Sequence, residues 1–231
     1  MTDHQLRETS SKPTSDVLAE SLGRLLPGCR PDTVERLNQT ARTRTVPPRM
    51  HIYHQGDAAP LTLILEGYGA ARRTTPGGKE LLSGIAPPGV LFGWSGLTSV
   101  PSSVDIFALT ECRVAQWPGM EIRAIAGTDS GLAFAAIDSM AWSLHETVER
   151  IEGFLHQDAR LRVLRVLAQH RELFFGEVPV LTRADLSGLV GTTREMTGHV
   201  LRELEREGTL KRVGRTRLAL LRPDQLDLAT P

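Results

Sequence analysis

A chain of 231 residues can bury one large core or two smaller ones, and 40% hydrophobic with 23% charged residues is a globular composition, not that of a disordered tail or a fibre. Lys plus Arg and Asp plus Glu number 27 each, so net charge singles out no partner, and no apolar run reaches the length of a membrane span. Two cysteines, Cys29 and Cys112, exclude a disulfide framework and a four-cysteine metal or iron–sulfur site, which with a polar N-terminus lacking a signal-peptide core makes the cytoplasm the expected compartment.

Residues 1–17, rich in Ser, Thr and charge, are expected to form a flexible leader, followed by short helices over 16–26 and 31–41, the second opened by Pro31. From Thr43 to Gln116 short apolar runs alternate with turn signals: Pro47-Pro48, Gly56-Asp57, Glu66-Gly67, Pro76-Gly77-Gly78 and Pro87-Pro88-Gly89. That spacing predicts an all-β sandwich or roll.

Asp129 is placed to cap a helix running to about Gln157. Along it Phe134, Ile137, Ala141, Leu144, Val148, Ile151 and Leu155 recur at alternating spacings of three and four, the seam of a left-handed coiled coil. A single helix lying on the β region would also need an apolar face, but a seam held for three heptads favours a partner helix, and a symmetric homodimer is the commonest arrangement. Asp158 then caps a further helix to about Glu172, with Leu161, Leu164, Val166, Leu167 and Leu173 inward and Arg160, Arg162 and Arg165 outward.

Thr182-Arg183-Ala184-Asp185 is a variant capping box opening a helix over 183–190 that buries Leu186, Leu189 and Val190. Gly191 makes the turn, and Thr192 or Thr193 caps a second helix expected to bury Met196, Val200, Leu201 and Leu204. Arg194, Glu195, Thr197, Gly198, His199 and Arg202 are left outward, a set suited to reading base edges in a major groove. A hairpin follows, with Gly214-Arg215 at its tip. Between Arg206 and Arg217 five basic residues stand against one acidic. Lys211, Arg212, Arg215 and Arg217, with Thr182, Thr193 and Arg202, are the expected phosphate contacts.

The run Leu181-Thr182-Arg183-Ala184-Asp185-Leu186-Ser187 through Gly191-Thr192-Thr193-Arg194-Glu195-Met196-Thr197-Gly198-His199-Val200-Leu201 resembles the helix-turn-helix of the CRP/FNR family of bacterial regulators. The resemblance implies an α+β chain: an N-terminal double-stranded β-helix or jelly-roll of cyclic-nucleotide-binding type (18–126), a dimerisation helix and hinge (127–157) and a winged helix-turn-helix (158–231). It implies a sequence-specific regulator that binds an inverted repeat in double-stranded DNA as a homodimer, with RNA polymerase and a small-molecule effector as further partners. Arg194 and Glu195 match the family's adjacent base-reading Arg and Glu, whereas His199 stands where many members carry another base-contacting Arg.

The β region resembles the family's nucleotide-binding fold through Gly56-Asp57, Leu65-Glu66-Gly67, Gly77-Gly78-Lys79-Glu80 and Pro88-Gly89. Where cAMP-binding members place a Gly-Glu pair for the ribose, this chain has Gly93-Trp94-Ser95, and their Arg-Ser pair for the cyclic phosphate falls on Ser102-Ser103. The carboxylate and the guanidinium are both missing, which argues against cAMP. Haem would need an axial His, Cys or Met. His51, His54, His145 and His156 are present, but none lies in a diagnostic motif, and no metal cluster stands out. His145 and Glu146, beside the helical seam, join Trp94 as candidate effector contacts. A ligand-binding signalling module in which DNA binding is secondary or lost is the alternative, and no nucleophile–base pair suggests an enzyme.

Overall fold

The computed structural model describes residues 14–75, 77, 80–98, 100–214 and 216–227. Helices α1 (Thr14–Leu25) and α2 (Pro31–Thr40) bury Leu18, Leu22 and Leu37, and Leu26, just after α1, is buried with them. The helix starts inside the stretch expected to be leader; residues 1–13 lie outside the described set.

Among the described residues eight strands follow: β1 (Arg42–Val46), β2 (His51–Tyr53), β3 (Leu61–Glu66), β4 (Gly69–Thr74), β5 (Glu80–Ala86), β6 (Leu91–Phe92), β7 (Asp105–Ala108) and β8 (Cys112–Trp117). They form two antiparallel four-stranded sheets, ordered β1-β8-β3-β6 and β2-β7-β4-β5. Ile52, Ile106 and Ala108 of one sheet and Val46, Ile64 and Val114 of the other meet in a buried cluster, as two packed sheets require. The turn between β3 and β4 depends on Gly67, at φ +79, where a Cβ would fall 2.0 Å from the carbonyl oxygen of Glu111. Trp117 at the end of β8 donates its indole N–H to Leu37 O at 2.8 Å, fixing α2 against the roll.

After α3 (Gly119–Ala126) comes the long helix α4 (Ser130–His156), whose N-terminus is capped by Asp129 accepting from Gly131 N at 2.9 Å. Its first turns bury Leu132 and Ala136 against the roll. The seam residues are different: Phe134, Ile137, Leu144, Val148, Ile151 and Leu155 are 45–71% exposed, and Ala141 is exposed too.

The C-terminal region contains α5 (Ala159–Gln169), α6 (Arg171–Phe175), α7 (Arg183–Val190), α8 (Arg194–Arg206), the hairpin β9 (Leu210–Val213) and β10 (Arg217–Leu220), and α9 (Asp224–Asp227). One helix was expected from Ala159 to Glu172; the backbone instead breaks at His170, φ −113 and ψ 33, which turns Leu173 and Phe174 into the core. Within α5 the fully buried positions are Val163 and Leu167, one turn apart, while Leu161, Leu164 and Val166 are half-buried. Arg162 is not simply outward: it donates to Gln157 O at 2.7 Å and lies over the Phe154 ring at 5.6 Å.

Helix α7 packs directly on the β-roll. Leu82 of β5 is buried in the C-terminal core cluster, and a Cβ at Gly188 would lie 2.9 Å from Leu82 N. Arg150 of α4 donates to Ser83 O at 2.5 Å, tying the long helix to the same strand.

Candidate nucleic-acid interface

The two helices of the turn motif are set by local chemistry. Asp185 accepts from the backbone N–H of Thr182 at 2.8 Å and from its hydroxyl at 2.7 Å, so the Thr182 side chain serves the start of α7. Gly191 closes α7 in the left-handed region at φ +67. Thr193 caps α8, its Oγ1 accepting from Met196 N at 3.1 Å. The N-terminus of α8 therefore carries the positive end of the helix dipole together with the exposed Arg194.

Helix α8 buries Thr197, Val200, Leu201 and Leu204, a row at i, i+3, i+4 and i+7. Two expectations are corrected here. Thr197, placed outward by the sequence, is 2% exposed and donates its hydroxyl to Thr193 O at 3.0 Å; it is a core residue and cannot face a base. Met196, placed inward, is 44% exposed. The physical reason is angular: the buried row fixes the helix rotation, and a threonine can enter a core when its hydroxyl bonds the carbonyl one turn back.

The opposite side presents Arg194, Glu195, His199 and Arg202, all exposed, with Gly198 half-exposed between them. Arg202 reaches back over Gly198, with Nη1 3.5 Å from the place a Cβ would take. His199 Nε2 lies 3.2 Å from Glu203 Oε1, so its ring is turned along the helix toward a carboxylate. At the other end of α8, Glu207 receives both terminal nitrogens of Arg160, at 3.1 and 2.6 Å, which locks α8 to α5.

In the hairpin Leu210 pairs with Leu220 and Arg212 with Leu218, which puts Arg212 on the inner face. There it meets Glu205 of α8, Nε to Oε1 3.2 Å. Lys211 and Arg217 are exposed on the outer face. Gly214, at φ +62, begins the tip, and Arg215 lies outside the described residues.

The residues singled out as effector contacts are not gathered at one place. Gly93, φ +91, opens a 3₁₀ turn (Trp94–Leu97) pressed so closely on the preceding loop that a Cβ there would fall 2.1 Å from Pro60 O. Trp94 is buried in the core shared by α1 and the start of α4, its indole nitrogen without a hydrogen-bond partner. Ser95 is half-buried, Ser102 is buried with its hydroxyl on Val104 O at 2.7 Å, and Ser103 is exposed. His145 and Glu146 stand on the exposed part of α4, nine residues beyond Ala136 and thus roughly 13 Å along the axis from the Trp94 cluster. His145 is 3.5 Å from Glu149. Glu146 instead borders a cleft of about 560 Å³ between β5, α4, α5 and α7, with Glu149, Arg150, Phe154, Arg162 and Arg165.

Neither cysteine offers a ready thiolate. Burial, with Asp129 nearby, pushes the Cys29 thiol up to about 11, and burial also raises Cys112. The fold does bring His51, His54 and Asp105 together, which the sequence reading did not find. The His51-x-x-His54 spacing was visible, but an aspartate some fifty positions on is supplied only by strand pairing.

A β-roll of cyclic-nucleotide-binding type, continued by a long helix into a winged helix-turn-helix, defines a regulator type of DNA-binding protein. A family model for the cyclic nucleotide-binding domain matches residues 43–129, and one for the Crp-like helix-turn-helix domain matches residues 161–228. The cAMP-activated global transcriptional regulator Vfr of Pseudomonas aeruginosa is 26% identical over 195 residues, 79% of this chain and 91% of Vfr. Among solved structures, the c-di-GMP-responsive global regulator CLP of Xanthomonas campestris superposes with a TM-score of 0.67 at 24% identity, covering 83% of this chain and 99% of CLP. FixK2 of Bradyrhizobium japonicum gives 0.67 at 21%, covering 83% and 98%. The chain belongs to the CRP/FNR family of DNA-binding transcription regulators. Among the described residues no helix is long and apolar enough to cross a membrane.

Proposed function

We propose that the chain acts in the cytoplasm as a homodimer that binds an inverted repeat in duplex DNA, each α8 entering one major groove. The observation that carries this reading is the division of α8 into a buried row and an exposed polar face led by Arg194 and Glu195. Arg194 donates to guanine and Glu195 accepts from a cytosine amino group, with Gly198 and His199 alongside. Thr193, Arg202, Lys211, Arg215 and Arg217 engage phosphates, and Arg212 helps to hold the wing on α8. Thr182 acts through the cap of α7. The dimer forms through the exposed seam of α4, which leaves six large apolar side chains in water in the lone chain. RNA polymerase is the further protein partner.

The chain is not an enzyme on this reading, and cAMP is not its effector: a buried tryptophan replaces the ribose-binding carboxylate, and Ser102 supplies no guanidinium. Selection of bound fragments from random duplex DNA tests the proposal. Enrichment of an inverted repeat with half-site centres about 34 Å apart is the expected result; enrichment of no sequence, or of an isolated half-site bound by a monomer, would refute it.

A further inference from the structure

The β2-β7-β4-β5 sheet carries a cluster of imidazoles and a carboxylate with no part in the DNA interface. His51 lies on β2, His54 on the turn that follows, and Asp105 opens β7. His54 Nδ1 is 3.5 Å and His51 Nε2 is 3.9 Å from Asp105 Oδ1, and one ligand atom from each of the three falls within 4.8 Å of the others. The side chains of His51 and Asp105 are 31% and 13% exposed, and that of His54 is 59% exposed, so the cluster has a held floor and an open rim.

We propose that His51, His54 and Asp105 form a binding site for a divalent first-row transition-metal ion, zinc above all.

Two imidazoles and one carboxylate suit zinc, nickel or cobalt, whereas calcium and magnesium take oxygen ligands throughout. Donors placed about 2.0–2.1 Å from a tetrahedral zinc stand roughly 3.3 Å apart. The observed separations must contract, by rotation of the exposed His54 and by a shift of the His51 ring toward Asp105. Three protein ligands leave a coordination position for water.

The surroundings orient the donors. Gln55 N donates to Asp105 Oδ1 at 3.0 Å, setting the carboxylate plane. Arg72 Nη2 is 3.3 Å from His51 Nε2. A guanidinium can only donate, so Nε2 is unprotonated, and its lone pair, here directed at Arg72, is the one an ion would take in the guanidinium's place. When an ion takes that lone pair, Arg72 keeps two other supports: the Phe107 ring, 5.1 Å below its guanidinium carbon, and Asp105 Oδ2, 3.9 Å from Nε. Its positive charge opposes a divalent cation, so Arg72 tunes the affinity downward.

The test uses tag-free, full-length protein stripped with a chelator and titrated with Zn²⁺ by calorimetry and with Co²⁺ by visible absorption. One ion per chain is expected. His51→Ala and His54→Ala should each weaken binding at least tenfold, Arg72→Gln should tighten it, and His156→Ala, outside the cluster, should leave it unchanged. Thermal unfolding without metal verifies that each variant is folded; should Asp105→Asn fail to fold, the exposed His54 carries the test. No stoichiometric uptake, uptake that survives the His51→Ala/His54→Ala double substitution, or weaker binding in Arg72→Gln would overturn the proposal.

Discussion

Gly191 and Phe154 touch across the junction between the long helix and the DNA-binding region: a Cβ at Gly191 would lie 2.4 Å from Cε1 of Phe154. The same glycine holds φ +67. The turn of the helix-turn-helix is thus seated on the C-terminal end of α4, so a shift in the packing of α4 reaches α8 through a contact and not only through the chain. Gly191→Ala meets both a left-handed backbone and the phenyl ring. We expect a loss of about 1–3 kcal/mol in stability, read from urea unfolding. A change within about 0.5 kcal/mol would contradict both the left-handed turn at Gly191 and its contact with the ring.

Thr197 and Met196 make opposite predictions to those their hydropathies suggest. Thr197→Ala removes a buried methyl and a hydroxyl bonded to Thr193 O, and should cost about 1–2 kcal/mol. Met196→Ala should stay within about 0.5 kcal/mol, since the side chain is exposed. Denaturant midpoints of the two variants check the pair, and the reverse order would place the helix rotation in error.

The seam of α4 predicts a separable assembly defect. Leu144→Asp puts a charge at the middle of the apolar stripe, yet Leu144 is exposed in the single chain, so the fold of each subunit should persist. Sedimentation equilibrium is expected to show a dimer for the parent and a monomer for the variant, with unchanged circular dichroism. A variant that remains dimeric would move the interface elsewhere.

Asp129 ties α2 to the start of α4. Hydrogen bonds from the Thr33 hydroxyl, Arg30 N and Gly131 N, with the Arg30 charge, hold its carboxyl below the usual carboxylate range. A carboxyl lowered in the folded state contributes stability above its unfolded value of about 3.9 and loses it as pH falls through the folded value. The stability gap between the parent and Asp129→Asn should therefore be full at neutral pH and narrow below about pH 4. Denaturant unfolding across pH 3–7 measures it; a gap that widens in acid would contradict the assignment.

What the sequence made legible was local or periodic. Thr193 and Gly191 announce themselves because a cap and a left-handed turn each need a particular residue type, and the apolar stripe of α4 because residues repeated every seven positions share one face of a helix. Thr197 and Met196 were exchanged because hydropathy ranks single residues, whereas burial follows the rotation that Val200, Leu201 and Leu204 impose together. The break at His170 was hidden because the residues around it are all compatible with a helix. The seating of Gly188 on Leu82 and the meeting of His51, His54 and Asp105 are tertiary, joining positions whose separation in the chain carries no signal.

The central claim is that the polar face of α8, presented twice by a dimer, reads duplex DNA. Fluorescence anisotropy of a labelled duplex carrying the selected inverted repeat tests it most directly, at several salt concentrations, with the parent and Arg194→Ala. Two chains should bind each duplex, affinity should fall steeply with salt, and Arg194→Ala should weaken binding roughly ten- to a hundredfold. One chain per duplex, or an affinity indifferent to both salt and Arg194, would contradict it.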